Sequence, residues 1–245
     1  MTSAFSYPYM YWVGIDTAPD VDAADLAAFN DFYSNVHAPE VLANNPGFRR
    51  AARYELAQPD PRYDIAPRFL AMYEMDDEAA ARGYAARNDQ PGGPGIAYTA
   101  GPSAWSDPRR ATRWRMIWQQ VASYGESTVP PVSIFMVGID VPADTTPAQL
   151  AEFNDFYTNI HVPEVVANGG YSRGIRYQLY REFAHPAPGS PQFCAIYEAD
   201  ATATEAARER AANPVNRPTN SRLSSGPPTW EAHETLWRLV YRRLD

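Results

Sequence analysis

The stretch of the chain from Phe29 to Val41 is written twice, and its second copy runs from Phe153 to Val165. Both copies read Phe-Asn-Asp-Phe-Tyr, then Ser or Thr, Asn, an aliphatic residue and His, with Pro and Glu two and three residues after the His. An internal repeat has to be recognised before elements are assigned, because repeated units fold alike and pack against one another. The doubled stretch therefore predicts two equivalent halves.

Shorter matches extend the repeat over almost the whole chain, and the insertions between them fall in predicted loops. The matched pairs are Val13–Asp16 with Val137–Asp140, Arg53 and Tyr54 with Arg176 and Tyr177, Ala71–Glu74 with Ala195–Glu198, Gly101, Pro102 and Trp105 with Gly226, Pro227 and Trp230, and Trp114 and Arg115 with Trp237 and Arg238. We place the halves at residues 1–124 and 125–245, with residues 122–132 as the connector between them.

Each half has the predicted order strand, helix, strand, strand, helix, strand, because runs rich in β-branched and aromatic residues alternate with helical patterns. The predicted strands are 9–16, 48–58, 68–76 and 112–121 in the first half and 133–140, 174–181, 192–200 and 234–244 in the second, and the second helices are 77–88 and 202–213. This order is the ferredoxin-like arrangement of the α+β class. Two such sheets can bury their bare faces against each other, which predicts an intramolecular pseudo-dimeric α/β barrel with helices outside.

The first helix of each half carries the repeated stretch and has clear start and stop signals. In the second copy Thr146 is a good N-cap, Pro147 suits the first helical position and Gln149 completes a capping box, while Asp22 and Asp25 hold the corresponding places in the first copy. Proline cannot donate a backbone hydrogen bond and crowds the preceding turn. We therefore expect Pro39 to break or kink the helix around His37 and expose that histidine to a cavity.

The order of elements, the doubling and the helix that ends in Tyr33, His37, Ala38 and Pro39 resemble the dimeric α+β barrel superfamily, and within it EthD-like domains. Most such barrels are built from two chains, whereas this chain resembles a tandem fusion. The resemblance implies a site between sheet and helices. It also implies that enzymes of this kind act on aromatic or polyketide-like molecules with few or no cofactors, several of them using a His with a Tyr.

Composition narrows the classes of partner. A formal charge of -8 and a pI near 5.0 disfavour nucleic acids and anionic membranes as partners. No apolar run approaches the roughly 18 residues of a membrane span, and the N-terminus lacks the basic start of a secretory signal, so we expect a cytoplasmic protein. All 21 basic residues are Arg, which excludes Schiff-base chemistry on lysine, and the single cysteine, Cys194, is expected to be a buried inert thiol.

The doubled histidine is the best candidate for catalysis. His37 and His161 are predicted to be general acids or bases, because imidazole titrates near neutral pH. Tyr33 and Tyr157, one turn earlier, are predicted to donate a proton or hydrogen bond to a developing oxyanion. The alternatives are a helix-end histidine bonded to backbone and a tyrosine that only packs.

Further residues of the repeat are predicted to bind substrate. Asn30 and Asn154 could anchor a ligand carbonyl, although a surface amide is an equal alternative, and Glu40 and Glu164 could orient the imidazole or simply face solvent. No metal is predicted, since this helix supplies too few ligands for a first-row metal. No cofactor is predicted either, and His185 and His233 are interpreted as surface residues.

Alternation along the strands separates an aromatic set from a charged set. The aromatic residues Tyr54, Tyr73 and Trp114, with their counterparts Tyr177, Tyr197 and Trp237, are predicted to line a substrate pocket if they face the helix. The charged residues, Arg53, Glu74 and Arg115 with Arg176, Glu198 and Arg238, are predicted to form mutual buried ion pairs or to bind substrate.

These expectations favour a cofactor-independent enzyme that uses proton transfer on a small hydrophobic, aromatic or polyketide-derived substrate, as an isomerase, cyclase, dehydratase or other lyase. The alternatives are a cofactor-independent monooxygenase of a phenolic substrate and a non-catalytic module that binds small molecules. Beyond the pseudo-dimer inside one chain, a further homodimer is possible.

Overall fold

The computed structural model describes residues 5–90, 95–200 and 223–244. Eight strands close into one antiparallel barrel in the order β1-β3-β2-β8-β5-β7-β6-β4. The strands are β1 Tyr9–Asp16, β2 Phe48–Gln58, β3 Phe69–Met75, β4 Ala111–Gly125, β5 Ser133–Asp140, β6 Arg173–Ala184, β7 Phe193–Ala199 and β8 Glu234–Arg243. Both halves contribute four strands, and the pairs β2–β8 and β4–β6 join them, so the predicted pseudo-dimeric barrel is confirmed.

The helices pack outside the barrel. They are α1 Ala23–Phe32, α2 Ala38–Asn44, α3 Glu78–Asn88, α4 Ser103–Ser106, α5 Pro147–Phe156, α6 Val162–Gly169 and α7 Pro228–Glu231. The predicted helix at 202–213 lies outside the described residues. Asp22 caps α1 and Thr146 caps α5 with the full capping box, as the sequence predicts. Within the described residues, no helix is both long and apolar enough to cross a membrane.

The expected break near His37 is instead a widened turn. Residues Tyr33–His37 and Tyr157–His161 are π-helical, so the N–H of Ala38 donates to the carbonyl of Tyr33 five residues earlier, and Val162 donates to Tyr157 in the same way. Helix α2 then continues with the proline near its start, where a missing N–H is tolerated. A wide turn thus absorbs the proline without ending the helical path.

Three apolar clusters hold the fold together. The barrel interior is filled from both halves by large side chains such as Trp12, Trp118, Ile175 and Leu239. One further cluster packs α1, α2 and α3 on the outer face of the first half, and another packs α5 and α6 on the second. At about 25 cal/mol for each Å² of buried apolar surface, such large buried side chains provide much of the driving force for closure. Cys194 lies buried in the interior cluster, as predicted.

The end of the first half differs from its prediction. Strand β4 extends through Gly125 and pairs Ala122–Gly125 with β6, so the first part of the predicted connector is sheet. This extension follows from the second half, whose strand β6 offers backbone partners that the first half cannot supply.

Candidate functional site

The two candidate histidines lie where the wide helical turn faces the outer surface of the sheet. Phe29 and Phe32 on α1, with Phe153 and Phe156 on α5, are buried and anchor the helix, while the π-helical turn rotates His37 and His161 toward a cavity. Wide turns of this kind are frequent at functional sites. Each half therefore has its own pocket between sheet and helices.

The first pocket has a volume of about 470 Å³, and the second about 450 Å³. Both volumes are suited to a small-molecule ligand. The first is lined by Tyr11, Val13, Ile15, Tyr33, His37, Val41, Tyr73, Tyr84, Asn88, Tyr98, Trp105, Arg110, Thr112 and Arg115. The second is lined by Phe135, Val137, Ile139, Tyr157, His161, Val165, Tyr197, Leu223, Ser224, Ser225, Trp230, Glu231, His233, Thr235 and Arg238.

Each histidine is held by aromatic rings rather than by a backbone hydrogen bond. The ring centroid of His37 lies 4.5 Å from that of Trp105 and 4.9 Å from that of Tyr98, and His161 lies 4.3 Å from Trp230. Nδ1 of both histidines is buried and has no hydrogen-bond partner in the described part of the chain. The alternative interpretation, a histidine at the helix end that is hydrogen-bonded to the backbone, is therefore not supported for Nδ1.

Burial lowers the pKa of both histidines to about 4. The nearby carboxylates Glu40 and Glu164 act in the opposite direction but do not offset the loss of water around the ring. The imidazoles are therefore neutral at physiological pH. A neutral imidazole can accept a proton.

The tyrosines predicted to assist the histidines also lie in the pockets. The hydroxyl of Tyr73 donates to the hydroxyl of Tyr33 at 3.4 Å, and both side chains are fully buried. Burial raises the pKa of Tyr33 and of Tyr157, while the guanidinium groups of Arg53 and Arg176 oppose the rise. These phenols stay protonated near neutral pH and can donate a hydrogen bond.

Two buried arginines hold the tyrosines and the wide turns. Nη1 of Arg53 donates to the carbonyl of Asn30 at 2.9 Å and to Oγ of Ser34 at 3.0 Å, and Nη2 donates to the Asn30 side chain at 2.8 Å. The guanidinium lies 4.3 Å from the ring centroid of Tyr33, close enough for a cation–π contact. The first half thus uses a charged side chain to fix the helix that carries the pocket residues.

The second half repeats this arrangement with Arg176, which bonds the carbonyl and side chain of Asn154 and the hydroxyl of Thr158. Its guanidinium lies 4.1 Å from the ring of Tyr157. The side-chain oxygens of Asn30 and Asn154 accept hydrogen bonds from these arginines, and neither residue is among those that line the two pockets. Contact of their amide groups with a ligand carbonyl stays a prediction.

Glu40 and Glu164 hold loops rather than face the pockets. Glu40 accepts hydrogen bonds from the backbone N–H and hydroxyl of Thr99, and Glu164 accepts from the backbone N–H and hydroxyl of Ser224. These bonds fasten to α2 and α6 the loops that precede α4 and α7. Glu40 and Glu164 were predicted to bind substrate, but in the structure they hold the loops that form the pocket walls.

The predicted aromatic set is split between the two faces of the barrel. Tyr73 and Tyr197 line the pockets, but Tyr54, Trp114, Tyr177 and Trp237 are buried in the barrel interior, so their placement opposite the helix was wrong. The cause is register: Tyr73 pairs with Ala51 on the neighbouring strand, whereas Tyr54 pairs with Leu70, and directly paired residues share a face. Alternation within one strand does not carry this information.

The predicted pairing of Arg53, Glu74 and Arg115 is wrong for the same reason. Arg53 and Arg115 point toward the helices, while the Glu74 carboxylate accepts hydrogen bonds from the N–H groups of Phe5, Ser6 and Tyr7 at one end of the barrel. Arg115 donates instead to the hydroxyl of Tyr11 at 2.9 Å and to the side chain of Asn88.

In the second half, Glu198 does have an arginine near it, but not the predicted one. Nη1 of Arg173 lies 3.7 Å from its carboxylate, whereas Arg176 points to the helix. Arg238 lines the second pocket.

Sequence reasoning missed several pocket residues. Trp105 and Trp230 are members of the repeat, yet nothing local shows that the short helices α4 and α7 carry them onto the histidines. Arg110 and His233 precede the last strand of each half and line the pockets, so His233 is not a plain surface residue. His185 is partly buried, with its ring stacked on Trp114 at a centroid distance of 5.3 Å. Among the described residues, no group of three or more His, Cys, Asp and Glu side chains could hold a metal ion.

No family model matches the chain, and no curated protein matches it in sequence. Solved structures match it in fold. A mutant of chlorite dismutase from Candidatus Nitrospira defluvii is 9% identical, with 97% of this chain and 91% of that chain covered and a TM-score of 0.50. A DypB variant from Rhodococcus jostii in complex with heme is 8% identical, with 96% and 92% covered and a TM-score of 0.50.

A dye-decolorizing peroxidase from Bacteroides thetaiotaomicron is likewise 8% identical over 97% of this chain and 93% of that chain, with a TM-score of 0.50. At these identities the likeness concerns the fold alone. The fold that these structures share with this chain is an α+β barrel built from ferredoxin-like halves. In this protein the barrel is closed within a single chain.

One of these neighbours is in complex with heme. A histidine that ligates a metal has an acceptor on its other ring nitrogen, which orients the ring and makes it more basic. Nδ1 of His37 and of His161 lacks such an acceptor in the described residues, and a tryptophan lies against each ring. His37 and His161 therefore do not fit the role of an axial heme ligand.

Proposed function

We propose that this protein is an enzyme that acts by proton transfer, without a redox cofactor, on small hydrophobic molecules of aromatic or polyketide-derived type. The reaction would be an isomerisation, cyclisation, dehydration or another lyase step. A cytoplasmic location is part of the proposal. The observation that carries it is the neutral, unbonded histidine beside a pair of buried tyrosines, present in both pockets.

The roles follow from the protonation states. His37 or His161, neutral at physiological pH, would take a proton from a carbon acid or a hydroxyl of the substrate. Tyr33 or Tyr157, protonated and backed by the charge of Arg53 or Arg176, would donate a hydrogen bond to the oxygen on which negative charge develops. The aromatic walls would hold a flat substrate and keep water away.

Incubation with a panel of aromatic ketones and hydroxylated polycyclic ketones in D₂O tests this proposal. Mass spectrometry detects the exchange of carbon-bound hydrogen and the formation of isomers or dehydrated products. The double variant His37→Gln/His161→Gln should lower the rate by about 10²- to 10⁴-fold, the usual contribution of general acid–base catalysis. His185→Gln is the matched control, because this histidine is also partly buried but does not line either pocket.

Retention of the full rate in the double variant would refute the roles assigned to the histidines. Uptake of oxygen in step with substrate loss would instead favour a cofactor-independent monooxygenase. Tight binding of panel compounds without any change in their mass or hydrogen exchange would favour a binding module.

The origin of the chain is a second part of the proposal. The repeat and the equal order of elements in the two halves support a fusion of two copies of an EthD-like domain. A single-copy relative that aligns equally well with residues 1–124 and 125–245 would support this origin, and one that aligns with neither half would argue against it.

A further inference from the structure

One difference between the two pockets is the side chain that precedes the last strand of each half, beside the candidate histidine. Arg110 in the first half and His233 in the second hold the same place: each lies just before the last strand of its half and is anchored on the tryptophan of the preceding short helix. Nε of Arg110 donates to the carbonyl of Trp105 at 2.8 Å, and Nδ1 of His233 is hydrogen-bonded to the carbonyl of Trp230. Both side chains also stack on these indoles, at 4.5 Å in each case.

The charge of Arg110 is not neutralised by any carboxylate among the described residues. No ion pair of Arg110 is found among the described residues, although its neighbour Arg109 pairs with both Asp20 and Asp107. The guanidinium is partly buried, and this burial lowers its pKa. A half-buried cation without a carboxylate is costly unless a ligand or solvent completes its hydrogen bonds.

The position of Arg110 places this charge at the entrance of the first pocket. The side chain lines the cavity that contains His37 and also the shallower recess beside it, which is bordered by Tyr98, Trp105 and Asp107. Its charge contributes to the low pKa of His37, after burial. An anion placed between the two would satisfy Arg110 and raise the proton affinity of the histidine.

A second arginine position, on the last strand of each half, does not distinguish the two pockets in the same way. Arg115 and Arg238 hold the same strand position and line the two cavities, but Arg115 is bonded to Tyr11 and Asn88. Phe135 replaces Tyr11 in the second pocket, and Arg238 there is exposed to solvent, so water screens its charge, whereas Arg110 is half-buried. Arg110 is thus a half-buried arginine of the first pocket that has no ion pair among the described residues, and it lies at the entrance next to His37.

We propose that the first pocket binds an aromatic ligand bearing a carboxylate, that Arg110 holds this carboxylate, and that the second pocket, with His233 in its place, does not share this preference. The stacked indole of Trp105 fixes the guanidinium plane, which suits a carboxylate that accepts two parallel hydrogen bonds. This inference rests on the proposed function only in taking the cavity as the substrate site. Its test measures binding and requires no turnover.

The test compares 2-naphthoate with its neutral counterpart 2-naphthamide by NMR titration of the full chain. The indole N–H signals of Trp105 and Trp230, assigned with Trp105→Phe and Trp230→Phe, report on each pocket separately. At the first pocket we expect the carboxylate to bind at least about tenfold more tightly than the amide. Arg110→Gln should abolish that preference, and Arg110→His should reduce it to the level of the second pocket.

The reciprocal variant His233→Arg should create a preference for the carboxylate at the second pocket, which guards against loss of folding as the explanation. Arg109→Gln removes the same charge one residue away and should leave the ratio of affinities unchanged. The proposal is overturned if the wild-type first pocket prefers the amide, if it binds neither probe, or if Arg110→Gln leaves the ratio unchanged. Loss of the preference in Arg109→Gln would overturn it too, since net charge alone would then explain the binding.

Discussion

The guanidinium of Arg176 lies 4.1 Å from the ring centroid of Tyr157 and is almost fully buried, 2% exposed, with no carboxylate in ion-pair contact among the described residues. Its Nη1 and Nη2 donate to the carbonyl and side chain of Asn154 and to the hydroxyl of Thr158, all on the helix that carries His161, while Nε has no partner among the described residues. Arg176 thus links the sheet to the wide helical turn and fixes the phenol of Tyr157 against the pocket. Arg53 and Tyr33 repeat the same relationship in the first half.

Replacement of this arginine should destabilise the fold even when the positive charge is kept. Lysine cannot reproduce the forked hydrogen bonds or the stacking on Tyr157, so Arg176→Lys should lower the free energy of unfolding by about 1–3 kcal/mol. Urea unfolding followed by tryptophan fluorescence measures this loss. Arg181→Lys, on the exposed part of the same strand, is the control, and an equal effect of the two substitutions would refute the special role of Arg176.

The contact between Glu40 and Thr99 should control the loop that carries Tyr98 onto His37. In Glu40→Ala the backbone N–H of Thr99 loses its acceptor, so its hydrogen exchange should accelerate severalfold while global stability changes by no more than about 1 kcal/mol. Hydrogen-exchange mass spectrometry of residues 95–101 measures this. Glu78→Ala, which removes a solvent-exposed i,i+4 pair with Arg82, should leave the exchange of this loop as it is.

The lowered pKa of the two pocket histidines makes stability depend on pH in a defined direction. In the unfolded chain these side chains bind protons near pH 6.5, but in the folded protein only near 4, so the unfolded state binds more protons between these values. Stability should therefore fall as the pH drops from about 6.5 to 4, by up to about 1.4 kcal/mol per pH unit for each histidine.

The double variant His37→Gln/His161→Gln should lose much of this slope. Denaturant unfolding at a series of pH values from 7 to 4.5 measures the slope in both proteins. If the stability curves of wild type and variant run parallel over this range, the two histidines do not have lowered pKa values in the folded protein.

Glu198 should produce the opposite dependence. Burial raises its pKa to about 7, with Arg173 acting against the rise, so the folded state binds more protons than the unfolded state between about pH 4.5 and 7. Stability from this group is present at low pH and is lost as the pH rises. Glu198→Gln should therefore become more stable relative to wild type as the pH increases from 5 to 8.

Glu74→Gln is the matched comparison at the equivalent strand position. Glu74 accepts hydrogen bonds from three backbone N–H groups of residues 5–7, so loss of its charge should weaken these bonds and destabilise the protein at neutral pH. Thermal unfolding at pH 5 and pH 8 distinguishes the two variants, and a stabilising effect of both would contradict the difference in their surroundings.

The repeat in the sequence was sufficient to predict the order of the eight strands and of helices α1, α3 and α5, because local signals set it. Strand β1 has the predicted bounds, Thr146 forms its capping box, and each half supplies four strands to the barrel. Two copies of a sheet with one bare face have few ways to bury it other than against each other. The histidine and the tyrosine one turn before it were also readable, since both belong to the doubled stretch.

The division of side chains between the pocket and the barrel interior was decided only by tertiary structure. A strand sequence shows that Tyr54 and Arg53 face opposite ways, but the register with β3 determines that Arg53 joins Tyr73 under the helix while Tyr54 enters the barrel. Register depends on hydrogen bonds between segments distant in sequence. The histidines could be chosen as candidates from the sequence because they lie in the repeated stretch. Only the folded chain brings Trp105, Arg110 and His233 to them, because these residues lie far from the histidines in sequence.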